Sequence, residues 1–392
     1  MKILSYCCLL IFCFLVETTL ISQNLEQELT NELTLHFEKS NLPGFAVALV
    51  KEKEILYQHG FGYADKTTQK PFTVHTIQNI GSVTKTIVGV AVVQAIAAGK
   101  LSMDTKINDI LPFTIEHPFF KDQPILLRHL VTHTSAILNT KFYRNTYVAS
   151  EYQTITENIH EDFLGFTKSH EAMELGLFLK SILFKGEKWY KKKNFLKAKP
   201  GTTKEYSNLN AALAAYMVEI VMEMPFHEYA TKNILASLKM MNSGWAYQDI
   251  SSKDCATLYF PRGQVVPNYR LNTYPDGGLL TSVADLSLYL QAIIKAYNGN
   301  SDFLSPESTA FLLPGDKDND RAFFGMRKES RNIGHGGSDP GVQTDLQFNA
   351  DSKMGRIIFT NVNAEDNEIL WEQYREIHKI LAKYEAKWKT HP

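Results

Sequence analysis

Three short clusters carry side chains suited to acyl-transfer chemistry. The first is Gly81-Ser82-Val83-Thr84-Lys85, heading an apolar stretch that runs to Gly99. A serine and a lysine three residues apart share one helix face. In a first helical turn the Ser82 N–H is among the unpaired backbone donors, and the positive end of the helix dipole there favours an alkoxide or oxyanion. Free lysine, with an ordinary pKa of about 10.4, is no base near neutral pH, but burial and neighbouring positive charge can make it one. The pair reads as a nucleophile with its base; a capping serine followed by an ordinary helical lysine has the same spelling.

The second cluster is Tyr206-Ser207-Asn208, after the Pro200-Gly201 turn and just before an apolar helix. A tyrosine beside a lysine can relay a proton, because a cationic neighbour favours the phenolate. Asn208 offers an acceptor and donors for a substrate amide. A packed tyrosine followed by an N-capping asparagine is the plainer alternative. The third cluster is Gly334-His335-Gly336-Gly337-Ser338-Asp339-Pro340-Gly341. Gly336 and Gly337 remove side chains where a strand edge would meet a substrate closely. The Ser338 N–H, paired with that of Ser82, would then form an oxyanion hole. His335 would tune the proton network or bind a substrate group, unless the segment is only a glycine-rich turn.

Elements to position these clusters can be read on both sides of them. An amphipathic helix over 25–40 precedes strands at Gly44–Val50 and Ile55–Tyr63, joined by a polar turn. The far end repeats the pattern, with strands at Gly341–Phe348 and Met354–Thr360 and a helix over Asn367–Trp388. Between them helices are expected at Ser82–Ala98, Leu126–Thr132, Ser169–Phe184, Asn208–Met224, Pro225–Leu238 and Ser282–Asn298, the last opened by a Ser-x-x-Asp cap. The expected fold class is α/β in the α+β sense, an antiparallel sheet flanked by helices. Residues 23–80 and 315–392 would build the sheet and its flanking helices, and 81–314 a mainly helical insertion carrying the nucleophile helix.

Composition narrows what this fold would act on. Of 392 residues, 44% are hydrophobic and 21% charged, which excludes disordered and collagen-like chains. Lys and Arg number 41 against 42 Asp and Glu, a formal charge of −1 that gives no general attraction for nucleic acid or an anionic membrane. A small-molecule or peptide substrate is expected instead, with no nucleic acid and no integral membrane partner. Lys2 followed by an apolar run from Ile3 to Val16 reads as a signal peptide over about 1–22, so the protein is expected to be exported, periplasmic or secreted. Cys7, Cys8 and Cys13 fall within it, leaving Cys255 alone and no intramolecular disulfide in the mature chain.

Other spellings of catalysis fit less well. Gly336-Gly-Ser-Asp-Pro340 lacks the final glycine of an α/β-hydrolase elbow. His129 and His133 have the spacing of a metal pair without the glutamate of a zinc protease, and are read as structural. No activating neighbour surrounds Cys255 in sequence. Eight lysines between Lys185 and Lys204, mixed with Trp189, Tyr190 and Phe195, read as a solvated surface. That stretch, with Tyr269 and Tyr274, is a candidate for the groove's rim.

Together the clusters resemble the serine hydrolases of the β-lactamase and penicillin-binding-protein superfamily, in the branch with class C β-lactamases, D-Ala-D-Ala carboxypeptidases, D-aminopeptidases and esterases. Ser-x-x-Lys, Tyr-x-Asn and His-x-Gly follow in the family's order, with gaps of 124 and 129 residues. The segments Leu127–Ser135, Pro275–Asp285 and Asn41–Phe45 look like further landmarks, so the resemblance covers roughly residues 25–385. It implies Ser82 as nucleophile, Lys85 and Tyr206 as proton carriers, and Asn208, His335, Gly336, Gly337 and Ser338 around the substrate, with no metal or organic cofactor. His335-Gly336-Gly337 replaces the family's Lys-Thr-Gly, removing a cation and a hydroxyl that help bind a substrate carboxylate. That shifts weight from β-lactam turnover towards an ester, peptide (a cell-wall peptide among them) or amide. A penicillin-binding sensor with little turnover is the alternative. The stretch from about Asn139 to Lys199 is longer than the resemblance implies, and would form a lid or side wall.

Overall fold

The structure, a computed structural model, describes residues 23–149, 166, 172–315 and 320–390. The signal-peptide reading and much of the suggested lid lie outside the described residues. An eight-stranded antiparallel sheet forms the backbone of the molecule. Its strands are β1 (Gly44–Val50), β2 (Ile55–Asp65), β3 (Lys70–Pro71), β4 (Asp320–Arg321), β5 (Phe324–Arg327), β6 (Asn332–Asp339), β7 (Val342–Asn349) and β8 (Gly355–Thr360). Their spatial order is β4-β5-β6-β7-β8-β1-β2-β3, so the two ends of the chain meet at the β8–β1 pair. The expected mixed fold, with both ends in one antiparallel sheet, is what forms.

Strand β1 shows why the sheet has helices on both faces. All seven of its residues are buried. Ala46, Ala48 and Val50 face one core and Phe45, Val47 and Leu49 the other, the period-two division of a pleated strand. The second core is closed by helix α1 (residues 23–38) through Leu29 and Leu33, and by α6 (Glu368–Thr390), the last helix of the described residues, through Leu370, Ile377 and Leu381. The first is filled by α2 (Lys85–Ala97), α3 (Leu175–Leu183), α4 (Asn208–Val221) and α5 (Val283–Tyr297). α2 is apolar nearly all round, as befits a helix enclosed by others. The Ser282 side chain caps α5 by accepting the Asp285 N–H at 3.2 Å, as its spacing implied.

Three expected helices differ locally, that over Ser169–Phe184 beginning only at Leu175 among the described residues. Gly81–Thr84 is a tight 3₁₀ turn, with regular α-helix starting only at Lys85. The stretch expected as one helix over Pro225–Leu238 is a short helix, Phe226–Ala230, followed by a wider turn over Thr231–Leu235. Among the described residues, three two-stranded ribbons lie outside the main sheet; one joins Tyr147–Ala149 to Tyr269–Leu271.

Candidate active site

Ser82 is held at the end of a strained approach. Gly81 adopts φ +52°, and its N–H donates to Asn79 Oδ1 at 2.6 Å. A Cβ there would stand 3.0 Å from Ser338 N and 3.4 Å from Asp339 Oδ2, so both backbone angle and crowding require glycine before the serine. One helical turn on, Lys85 is wholly buried; its Nζ lies 2.8 Å from Ser82 Oγ and donates to the Asp276 carbonyl. Tyr206 reaches the same Oγ with its hydroxyl at 2.9 Å, and its ring lies 5.3 Å from Lys85 Nζ. The three side chains read from sequence as one machine thus meet at a single oxygen.

Tyr206 is exposed at its rim and supported from behind. The His133 ring packs on it at a centroid distance of 4.5 Å. His133 Nδ1 accepts the Ser207 N–H at 3.3 Å and faces Asn210 Nδ2 at the same distance. Burial, then the Lys85 charge, push its pKa well below the ordinary histidine value, which favours a neutral ring beneath the tyrosine. His129 turns elsewhere, its Nδ1 accepting the Leu126 N–H. The structural reading of the two histidines fits this geometry, but sequence reasoning missed that His133 belongs to the site.

Asn208 is the first residue of α4 rather than its cap. The capping acceptor comes from across the chain, as Asn139 Oδ1 receives the Asn208 N–H at 3.0 Å and the Ser207 hydroxyl at 3.1 Å. This leaves the Asn208 side chain on the groove, with its Oδ1 buried and unpartnered among the described residues.

Strand β6 forms the opposite wall. β5 pairs only with Asn332, Ile333 and Gly334, so from His335 onward the outer edge of β6 is left open towards the Ser82 turn. The two glycines there differ. A Cβ on Gly337 would fall inside the Ile80 carbonyl and the Thr344 hydroxyl, so this residue is glycine for packing, not for substrate approach as expected from sequence. A Cβ on Gly336 would meet nothing nearer than 3.8 Å. His335, with Nδ1 2.5 Å from the Gly336 carbonyl, has its pKa lowered to about 4, by burial first and the Lys85 charge second. Ser82, Tyr206, Asn208, His335, Gly336, Gly337 and Ser338 all line one groove of about 930 Å³, walled on its far side by α6.

Behind Lys85 lies a buried acid pair that the sequence did not reveal. Asp276 Oδ1 accepts the Tyr143 hydroxyl at 2.8 Å, and Asp339 Oδ1 accepts that of Tyr147 at 2.6 Å. Burial pushes Asp276 up to about 6 and Asp339 to about 7, while the Lys85 charge pulls both down. Both stand in segments already marked as landmarks, Pro275–Asp285 and the glycine-rich cluster, but nothing in their spacing pairs them.

Of the remaining expectations, the rim tyrosines are not borne out, while the inert reading of Cys255 agrees with its burial. Tyr269 and Tyr274 do not reach the groove: the first is buried with its hydroxyl on the Pro340 carbonyl, and the second accepts the His227 N–H. Of the lysine-rich stretch, Lys204 lines a small pocket beside Tyr206 and His335, while Lys188 lies over the Trp189 ring. Cys255 has its thiol pushed up to about 11 by burial, which disfavours a thiolate.

Known proteins share this fold. The Beta-lactamase family model matches residues 21–379. Protein flp of Staphylococcus aureus is 20% identical over 361 residues; the match takes in 88% of this chain but 65% of that protein's length. Among solved structures, a penicillin-binding protein homologue from Pyrococcus abyssi superposes with a TM-score of 0.66 at 23% identity, covering 86% of this chain and 73% of its own. A D-amino acid amidase from Ochrobactrum anthropi gives 0.69 at 16% identity, covering 92% and 99%. With the family model spanning nearly the whole described fold, the chain belongs to the beta-lactamase family.

Proposed function

We propose that the protein is an exported serine hydrolase that works through a covalent acyl-enzyme on an ester, peptide or amide. The observation that supports this is the placement of one serine oxygen between a buried lysine amine, at 2.8 Å, and a tyrosine hydroxyl, at 2.9 Å. In this reading Ser82 Oγ attacks the substrate carbonyl carbon as its proton passes to the Lys85–Tyr206 pair. The N–H groups of Ser82 and Ser338 hold the developing oxyanion. Tyr206 gives a proton to the departing oxygen or nitrogen, the carbonyl bond to it breaks, and the acyl group stays on Ser82. Water, deprotonated by the same pair, then releases the acid and restores the serine. Asn208 and the open edge of β6 align the substrate, and His335, where many β-lactamases carry lysine, supports the shift towards esters, amides or peptides.

Intact mass spectrometry of the chain lacking residues 1–22, treated with a fluorophosphonate and separately with a penicillin, tests this beside Ser82→Ala. A fluorophosphonate adduct on Ser82, absent in the variant, together with ester turnover, is the expected result. A lasting penicillin adduct without turnover would favour the sensor reading, and no adduct on folded protein would overturn both.

A further inference from the structure

Asp345 stands on β7 directly across from Gly336 on β6, and its side chain lies on the groove face of the sheet. It is 5% exposed, and its Oδ1 has no hydrogen-bond partner among the described residues. Gln343 Oε1, two residues earlier on the same strand face, and the Tyr374 hydroxyl from α6 are likewise buried and unpartnered in this groove. Buried polar atoms are ordinarily paired, so a floor with three unmatched acceptor-capable atoms calls for a donor from a ligand.

The cations around this floor are mostly committed elsewhere. Arg356 pairs with Glu385 at 3.3 Å, Arg375 with Glu372 at 2.8 Å and Lys379 with Glu376 at 2.7 Å. Arg327 forms an ion pair with Asp345 Oδ2 at 3.6 Å, too long for a hydrogen bond, and Oδ1 has no donor among the described residues. Burial pushes Asp345 up to about 6, against the pull of Arg327 and Arg356, and a further cation would restore its charged form. Gly336 supplies the approach. It has no packing reason to lack a side chain, with nothing nearer than 3.8 Å to its Cβ position, and one of the two nearest atoms there is Asp345 Oδ2, the oxygen that a ligand cation would share with Arg327.

We propose that Asp345 is a specificity-determining residue that receives, over Gly336, a primary ammonium on the substrate. The proposal rests on Ser82 being the acylating nucleophile. Asp345 is two residues along β6 and one strand across from Ser338, a separation of roughly 8 Å from the ordinary rise and strand spacing, so the ammonium belongs about five or six bonds from the scissile carbonyl. The substrate is therefore an ester or amide with an extended amine arm, not one whose amine sits next to the carbonyl.

The test compares kcat/KM for ethyl ω-aminohexanoate against neutral ethyl heptanoate, and for the acetyl ester of ω-aminobutanol against that of pentanol, covering an arm on either side of the scissile bond. The expected result is a preference of about tenfold or more for the amine in one series, carried by KM. Asp345→Asn and Gly336→Val should each bring that ratio to near one, so the loss of one variant to misfolding leaves the other to decide. Turnover without amine preference in either series, or a preference unchanged in both variants, overturns the assignment while leaving the hydrolase reading intact. If wild-type protein hydrolyses none of the four esters and Ser82 takes no fluorophosphonate, both readings fall.

Discussion

The Thr344 hydroxyl donates a 2.7 Å hydrogen bond to the Ile80 carbonyl, tying strand β7 to the backbone two residues before Ser82. Gly337 lies in the gap between them, where even a methyl group would overlap both atoms. Gly337→Ala should therefore force β6 away from the Ser82 turn, costing about 1–3 kcal/mol and at least tenfold in acylation rate. Gly336→Ala, which meets no atom closely, should stay within about 0.5 kcal/mol of wild type. Denaturant unfolding of the two variants side by side checks the contrast, and equal losses would refute it.

Lys85→Ala and Tyr206→Phe each remove one of the two groups touching Ser82 Oγ. Each should lower acylation by roughly 10²-fold or more, the usual scale for a general acid–base group. Stopped-flow measurement of the acylation phase with an activated ester reads this directly. Wild-type rates in either variant would remove that residue from the mechanism.

Asn139→Ala takes away the acceptor shared by the Ser207 hydroxyl and the Asn208 N–H. Loss of a helix cap costs about 1 kcal/mol, and here it also frees the residue that faces the substrate. A drop in unfolding free energy of that size with a raised KM is expected. A change in kcat alone would argue against it.

The buried acids set a pH dependence whose sign follows from their raised pKa values. Asp339, at about 7 when folded, faces Asp276, Lys85 and the Tyr147 hydroxyl, and in the unfolded chain returns to about 3.9. Its contribution is fully present below the unfolded value and lost as pH rises towards 7, because over that range the unfolded chain ionises while the folded state still holds the proton. Asp339→Asn still accepts from Tyr147, so it should gain stability over wild type between pH 4 and pH 8, on the order of 2–4 kcal/mol at the upper end. His335, lowered to about 4, works in the opposite direction in both proteins and cancels in the difference. A thermal-unfolding series that gave a flat difference across this range would refute the assignment.

Much of the sheet was legible because β1 is a short unbroken apolar run of β-forming residues and Val342-Gln-Thr-Asp-Leu-Gln-Phe348 keeps a period-two alternation in which Gln343, Asp345 and Gln347 mark the groove face. Ser82, Lys85 and Tyr206 were legible as types in local motifs, two of them a single helical turn apart. Asp276, Asp339, Tyr143 and Tyr147 were not, since their hydrogen bonds join residues 133 and 192 positions apart and carry no local period. Gly337 was read as an opening for substrate because a glycine spelled in sequence does not say which neighbour excludes its side chain.

The sheet order also bears on how the chain comes to be folded at all. β1 sits between β2 and β8, with Ala46 opposite Phe359, so a chain synthesised from its N-terminus carries an apolar strand with one unpaired edge until β8 has been made. Pairings of such sequence separation form slowly, after loop closure over most of the polypeptide. During that interval the free edge of β1 is open to wrong pairing, and shielding of Phe45, Val47 and Leu49 would protect it.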